Sequence, residues 1–283
     1  MDYLSEYKSL QSEINAALEK YFAEDCPQRE LLDAMRYSLL AGGKRIRPLL
    51  LLKFCEMTGG SRRSALPAAC GIEMLHTYSL IHDDLRRGKP PCHKKYGETN
   101  AVLAGDALQS AAYGAVLSSP LPPQQLAAMA KTLAAAAAER GMCGGQYLDT
   151  SKEGLPVTED ELYEIHRLKT GALLRAACVM GVEAAGGTAE QISAAEKFAL
   201  HLGLAFQIRD DVLDCISTEA ELGKPIGSDA AEKKTTFVSL LGIDECDRLI
   251  HRHTEKAKEA LSGCFVDTGF LCWLADLLAD RRK

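Results

Sequence analysis

Alanine and leucine recur at helical spacing along most of this chain, and almost nothing in it alternates as a strand does. LLDAMRYSLL, ALPAACGIEMLHTYSLIHDD, QLAAMAKTLAAAAAERG and QISAAEKFALHLGLAFQIRDDVLD each return an apolar side chain every three to four positions, the period of one helix face. Val and Ile rarely alternate with polar residues, no Asn-Gly or Asp-Gly turn occurs, and Pro and Gly gather between the helical runs in SSPLPPQQ, SKEGLPVTED and AAGGTAEQ. The pattern predicts an all-α fold, a bundle of about ten or more helices. With no fixed-period repeat, linker or low-complexity stretch to divide it, the chain reads as a single domain over residues 1–283.

A net charge of −6 argues against nucleic acid as a partner, so local basic clusters must serve something narrower. The cysteines form no C-x-x-C pair, and the N-terminal MDYLSEYKSLQSEINAALEK carries acids where a leader needs a basic start and an apolar run. No stretch approaches the roughly 20 apolar residues that span a bilayer. These features predict a cytoplasmic protein with no transmembrane segment, in which any lipid-like substrate would have to be carried inside the protein or met at a membrane surface.

Four constellations carry chemistry. On a helix, FQIRDDVLD sets Gln207, Asp210, Asp211 and Asp214 at spacings of three, four and seven, so that an amide and three carboxylates share a face. Acids that close repel unless cations sit among them, and oxygen-only ligands favour Mg²⁺, which keeps waters and is shared with a substrate phosphate. A solvated acidic face is the alternative, but neighbouring Phe206, Ile208, Val212 and Leu213 point to burial. In IHDDLRRG, His76 and Asp83 share a helical face, and Asp83 with Asp84 would form a second acidic jaw across a bundle interior. Arg86 and Arg87 follow, either as ion-pair partners or as holders of diphosphate oxygens.

LLAGGKRIRPLL reads as a helix end, a Gly-Gly stop and a new helix with Pro48 in its first turn. Lys44 and Arg47 then stand at a helix N-terminus, an anion site, unless they merely decorate a charged loop. HRLKTGALL adds Lys169 and Thr170, and LGKPIGSDAAEKKTTF adds Lys224, Lys233 and Lys234, each weak alone. His93, His166 and His201 read as surface or helix-packing residues, and Cys92, Cys143 and Cys215 as small apolar filling.

Taken in order, GGKRIRP, HTYSLIHDDLRRGKP, GGQYLD, HRLKTG, FQIRDDVLD and GKPIGSDAAEKKTTF closely resemble the trans-polyprenyl diphosphate synthase family, from about residue 30 to the C-terminus. The resemblance implies the isoprenoid synthase fold, helices around a deep central cavity, usually as a homodimer. It implies a prenyltransferase that joins dimethylallyl or geranyl diphosphate to isopentenyl diphosphate by 1'-4 head-to-tail addition, with farnesyl diphosphate as the product and geranylgeranyl diphosphate as the alternative. It places isopentenyl diphosphate on Lys44, Arg47, His76 and Arg87, and the allylic diphosphate on Arg86, Lys169, Thr170, Gln207, Lys224 and Lys234. Three Mg²⁺ ions are implied between Asp83 and Asp84 of the first aspartate-rich motif and Asp210, Asp211 and Asp214 of the second. Asp83, Asp84, Arg86, Lys169, Asp210 and Lys224 are implied as catalytic, and Tyr78 and Ser79 as chain-length residues. Tyr78 precedes Asp83 by about 7.5 Å of helix at 1.5 Å per residue, where its ring would floor the cavity beneath a growing chain.

The chain departs from the family at one point. Members carry a short run with Pro, Met and further acids between Asp-Asp and Leu-Arg-Arg-Gly, whereas here Asp84 meets Leu85 and Arg86 directly. Roughly eight residues of the motif are absent, and its third acid with them. If that shortening is genuine, it predicts severe loss of turnover with binding retained, which would suit a noncatalytic diphosphate-binding or regulatory subunit; otherwise the chain is expected to turn over as the family does. A terpene cyclase would share the acidic helices but would not need a second diphosphate site at Lys44, Arg47 and Arg87. A His-Asp phosphohydrolase built on His82 and Asp83 lacks matching acids at the other histidines.

Overall fold

A computed structural model describes residues 2–86, 92–216 and 234–281. Among them are fourteen α-helices and one π-helical turn, and no strand, as the helical periodicity requires. In chain order these are α1 (Tyr3–Leu18), α2 (Arg29–Leu39), α3 (Ile46–Met57), α4 (Arg62–Arg86), α5 (Cys92–Tyr96), α6 (Glu98–Leu117), α7 (Pro123–Ala137), α8 (Met142–Ser151) and α9 (Glu159–His166). The π turn Arg167–Gly171 follows, then α10 (Ala172–Ala184), α11 (Ala189–Ile216), α12 (Phe237–Leu241), α13 (Ile243–Leu261) and α14 (Gly269–Ala279). The chain divides into two compact units, Met1–Leu133 with Met180–Gly187, and Ala134–Val179 with Thr188–Lys283.

In the first unit α3 is buried around most of its circumference, with Arg47, Lys53, Glu56 and Met57 partly exposed, as for a helix sunk in a core. Leu49, Leu50, Leu51, Leu52 and Phe54 have no exposed surface, and each is worth roughly 2 kcal/mol of apolar burial. By contrast α1 buries one stripe, Leu10, Ile14 and Leu18, and is capped at its start by Asp2, whose Oδ1 accepts from Ser5 N at 3.2 Å. The long α4 lies along α6. A Cβ on Gly105 of α6 would stand 2.2 Å from His82 Nε2, so this glycine gives the His82 ring its place against α6, next to Asp83 and Asp84 on α4.

In the second unit α11 packs against α13, which turns Cys246, Leu249, Ile250, His253, Ala257 and Leu261 inward at intervals of three and four. A capping box starts α9, Thr158 and Glu161 each satisfying the other's backbone N–H. The helix then widens into the π turn, a distortion that recurs at functional sites because it re-aims side chains. Ile208, Val212 and Leu213 are buried as expected, and Phe206 is half-buried. The histidines pack: His166 stacks on Phe237 at 5.4 Å, and His201 Nδ1 meets His253 Nδ1 at 2.9 Å. Cys92 is buried filling, but Cys143 and Cys215 are exposed, because their helix positions fall on outward faces that motif proximity does not reveal.

Candidate active site

The Gly-Gly stop is as the sequence predicts: α2 ends at Leu39, Gly42 and Gly43 take φ of 93° and 122°, and α3 begins at Ile46 with Pro48 in its first turn. The N-cap is Arg45, itself left-handed at φ 53°. Its guanidinium makes three bonds, from Nη1 to Glu73 Oε1 at 2.8 Å, from Nη2 to the Leu39 carbonyl at 2.8 Å and from Nε to Asn15 Oδ1 at 2.9 Å. Lys44 is exposed beside this strut, and Arg47 is half-buried with its Nε lacking a partner. Burial pulls the Arg47 guanidinium below its ordinary pKa, with Glu73 opposing. Burial first, then Arg47 and Arg45, push His76 well below the usual imidazole value, so it is neutral at pH 7. Lys44 and Arg47 thus flank the start of α3, and the Arg47 and Arg45 charges reach the neutral His76 of α4.

Further along α4, Asp83 and Asp84 are partly exposed, and Asp84 borders a cavity of about 630 Å³ with Arg36, Tyr37, Thr77, Ile81 and Tyr96. Tyr78 is 5% exposed and meets the His82 ring edge-on at 5.7 Å, while Ser79 Oγ donates to the His76 carbonyl at 2.7 Å.

In the second unit the π turn aims Lys169 and Thr170. Lys169 Nζ reaches Asp149 Oδ2 at 2.6 Å, and Lys234 Nζ reaches the same oxygen at 3.2 Å. Burial alone would raise Asp149, but the two lysines outweigh it and hold the carboxyl below the ordinary carboxylate value. A Cβ on Gly145 would lie 2.2 Å from the Lys169 amide, so this glycine sets the approach of α8, which carries Asp149, to the π turn. Thr170 Oγ1 donates to Gln207 Oε1 at 2.9 Å. On the same helix as Gln207, Asp210 Oδ1 pairs with Arg281 Nη2 at 2.6 Å, and Arg281 also covers the Phe206 ring at 3.9 Å. Asp211 is 4% exposed and its Oδ2 accepts the Phe237 backbone N–H at 2.8 Å, while Asp214 is 6% exposed.

The Arg86 side chain, Arg87, Lys224 and Lys233 lie outside the described residues. Asp149 carried no role in the sequence reading, although GGQYLD contains it, and Arg281 has no motif to mark it. Among the described residues no three of His, Cys, Asp and Glu come together as a metal cluster. The oxygen-only donors of each acidic helix nevertheless fit Mg²⁺, which takes one or two carboxylates and fills its octahedron with water and phosphate oxygens. No helix among these residues is long and apolar enough to cross a membrane.

Each unit thus carries its own charged constellation on an all-α scaffold: in the first, cations at the start of α3 and paired acids at the end of α4; in the second, two lysines on the Asp149 carboxylate and the acids of α11. The polyprenyl synthetase family model matches residues 28–263. The farnesyl diphosphate synthase of Geobacillus stearothermophilus is 42% identical over 290 positions, covering 99% of this chain and 97% of that one. A geranylgeranyl diphosphate synthase of Cyanophora paradoxa is 45% identical over 264 positions, with 89% and 88% covered. The crystal structure of geranylgeranyl pyrophosphate synthetase from Pyrococcus horikoshii Ot3 matches with a TM-score of 0.88 at 32% identity, covering 99% of this chain and all of that one. The chain belongs to the polyprenyl synthetase family.

Proposed function

We propose that this chain is a Mg²⁺-dependent trans-prenyltransferase that condenses dimethylallyl or geranyl diphosphate with isopentenyl diphosphate and releases farnesyl diphosphate, with residues 1–283 acting as one synthase domain. The carrying observation is the convergence of Lys169 and Lys234 on Asp149, next to Thr170 and Gln207, within a family of prenyl synthases. Lys169, Lys234, Thr170 and Gln207 take the allylic diphosphate, with Arg86 and Lys224 completing the set. Lys44, Arg47 and His76 take isopentenyl diphosphate, with Arg87 as the fourth ligand. Asp83, Asp84, Asp210, Asp211 and Asp214 hold the metal, three ions in all, and Asp211 also accepts the Phe237 backbone N–H. The protein works as a cytoplasmic homodimer.

The mechanism is electrostatic. Breaking the allylic C–O bond leaves the electron pair and negative charge on diphosphate, and Lys169 and Lys234 stabilise that charge as it develops. One cation about 4 Å away contributes about 4 kcal/mol at an effective dielectric of 20, nearly a thousandfold in rate if it acts only in the transition state. Bound Mg²⁺ supplies the same stabilisation as a Lewis acid. The double bond of isopentenyl diphosphate then attacks the allylic carbon, and a proton leaves to the departed diphosphate, so no protein nucleophile is required. Neutral His76 gives its diphosphate an N–H without adding charge. Tyr78, buried a little over one turn before the first acidic motif with its ring against His82, stops the product at fifteen carbons.

The direct junction of Asp84 with Leu85 and Arg86 favours a second reading, a diphosphate-binding subunit without turnover. Incubation with geranyl diphosphate, isopentenyl diphosphate and Mg²⁺ separates them. Farnesyl diphosphate is the expected product. A twenty-carbon diphosphate points to a geranylgeranyl synthase, a cyclic hydrocarbon to a cyclase, and binding without product to the noncatalytic subunit.

A further inference from the structure

The loop that presents Lys44 is strained and open. Gly42, Gly43 and Arg45 all have positive φ, and for Arg45 the left-handed region is costly, by roughly 1 kcal/mol. Nothing lies within 4 Å of where a Cβ would stand on Gly42 or Gly43, so side-chain packing does not fix the backbone there. Such a conformation persists only where its surroundings over-determine it.

The restraint comes from α1. Tyr7 Oη donates to the Lys44 carbonyl at 2.8 Å, Gln11 Nε2 donates to the Gly43 carbonyl at 2.8 Å, and Asn15 Oδ1 accepts from Arg45 Nε at 2.9 Å. Spaced by four, these residues form one stripe of α1, and they grip three consecutive residues of the loop. The helix is itself held firmly. Leu10, Ile14 and Leu18 are sunk in the core on the adjoining face, and Glu6 Oε1 pairs with Lys53 Nζ of α3 at 2.7 Å. In a trans peptide C=O and N–H point in opposite directions. Holding the carbonyls of Gly43 and Lys44 against α1 therefore turns the amides of Lys44 and Arg45 away from it. Although α1 precedes the residues matched by the family model, it determines how the anion loop is presented.

We infer that the Tyr7–Gln11–Asn15 stripe of α1 is a positioning device for the isopentenyl diphosphate site, fixing the backbone that carries Lys44 and Arg45. The inference rests on the reading that Lys44 and Arg47 take this substrate. Calorimetric titration with isopentenyl diphosphate tests it. The double variant Tyr7→Phe/Gln11→Leu should weaken binding about tenfold, the scale of two modest hydrogen bonds. Binding of geranyl diphosphate with Mg²⁺ should stay nearly unchanged, and the thermal midpoint should fall by only about 2–4 °C. Asn15→Leu should weaken isopentenyl diphosphate about fivefold, whereas Asn15→Asp, which keeps an oxygen for Arg45, should retain affinity. Unaltered affinity in the double variant, or equal weakening for both ligands, overturns the inference. Lys44→Ala/Arg47→Ala separates the two levels. If that variant binds normally, or if the unaltered chain gives no binding heat, the underlying site assignment fails. If that variant loses binding while the Tyr7→Phe/Gln11→Leu protein does not, only the role of α1 fails.

Discussion

Replacing Asp149 by asparagine removes a carboxylate that two lysines share, at 2.6 Å from Lys169 and 3.2 Å from Lys234. Breaking a fully buried ion pair costs about 3–5 kcal/mol because a charge is left uncompensated. Here the Asp149 side chain is 14% exposed and those of Lys169 and Lys234 are 26% and 12% exposed, so water softens the loss to about 2–3 kcal/mol. With an unfolding entropy near 0.6 kcal/mol per kelvin for 283 residues, the thermal midpoint should fall by about 4 °C at pH 7.

The pH dependence carries a definite sign. The folded carboxyl sits below the ordinary 3.8, so its contribution is complete above that value and disappears as pH falls through the folded pKa, where the unfolded chain has already bound its proton. Paired melts of the parent and Asp149→Asn should show a constant gap from pH 5 to neutrality that narrows below pH 4. Inorganic pyrophosphate should stabilise the variant more than the parent, because a phosphate anion replaces the missing counter-ion. Equal midpoints at pH 7, or a gap that persists unchanged at pH 3, would refute the shared-carboxylate account.

Tyr78→Ala should open space beneath the first acidic motif and shift the product toward twenty carbons, at a stability cost of about 3 kcal/mol; chromatography of the dephosphorylated products reads the first and urea unfolding the second. Arg281→Ala should release Asp210 and increase the thermal stabilisation by Mg²⁺ with pyrophosphate, and no gain in metal response would show that this ion pair does not compete with the metal. His166 and His253 are both pushed down to about 4, chiefly by burial, so they fold neutral. Since the unfolded chain takes up their protons first, stability should be lost as pH falls from about 6.5 toward 4, by a few kcal/mol in total, and His253→Gln should flatten that part of the profile.

Much of the site can be read in the sequence because helices convert spacing into shared faces. The three-residue interval from Gln207 to Asp210 puts both on one side of α11, and the Gly-Gly interruption before Lys44 marks the start of α3 without any coordinates. Asp211 follows Asp210 directly in the chain, yet it turns into the core to accept the Phe237 amide, a partner 26 residues away that no local pattern foretells. GGQYLD could be recognised, but the ion pairing of Asp149 with Lys234 depends on a segment 85 positions downstream.

From its residues alone the chain determined its all-α class, the two acidic motifs, the cation-rich turns and its family, because periodicity and short motifs are local properties of the chain. Tertiary structure decided which charges meet, Asp149 with two lysines and Asp210 with Arg281, and that α1 restrains the anion loop. These contacts join residues far apart in sequence, and they exist only once packed helices bring polar groups together and exclude the water that would otherwise solvate each one separately.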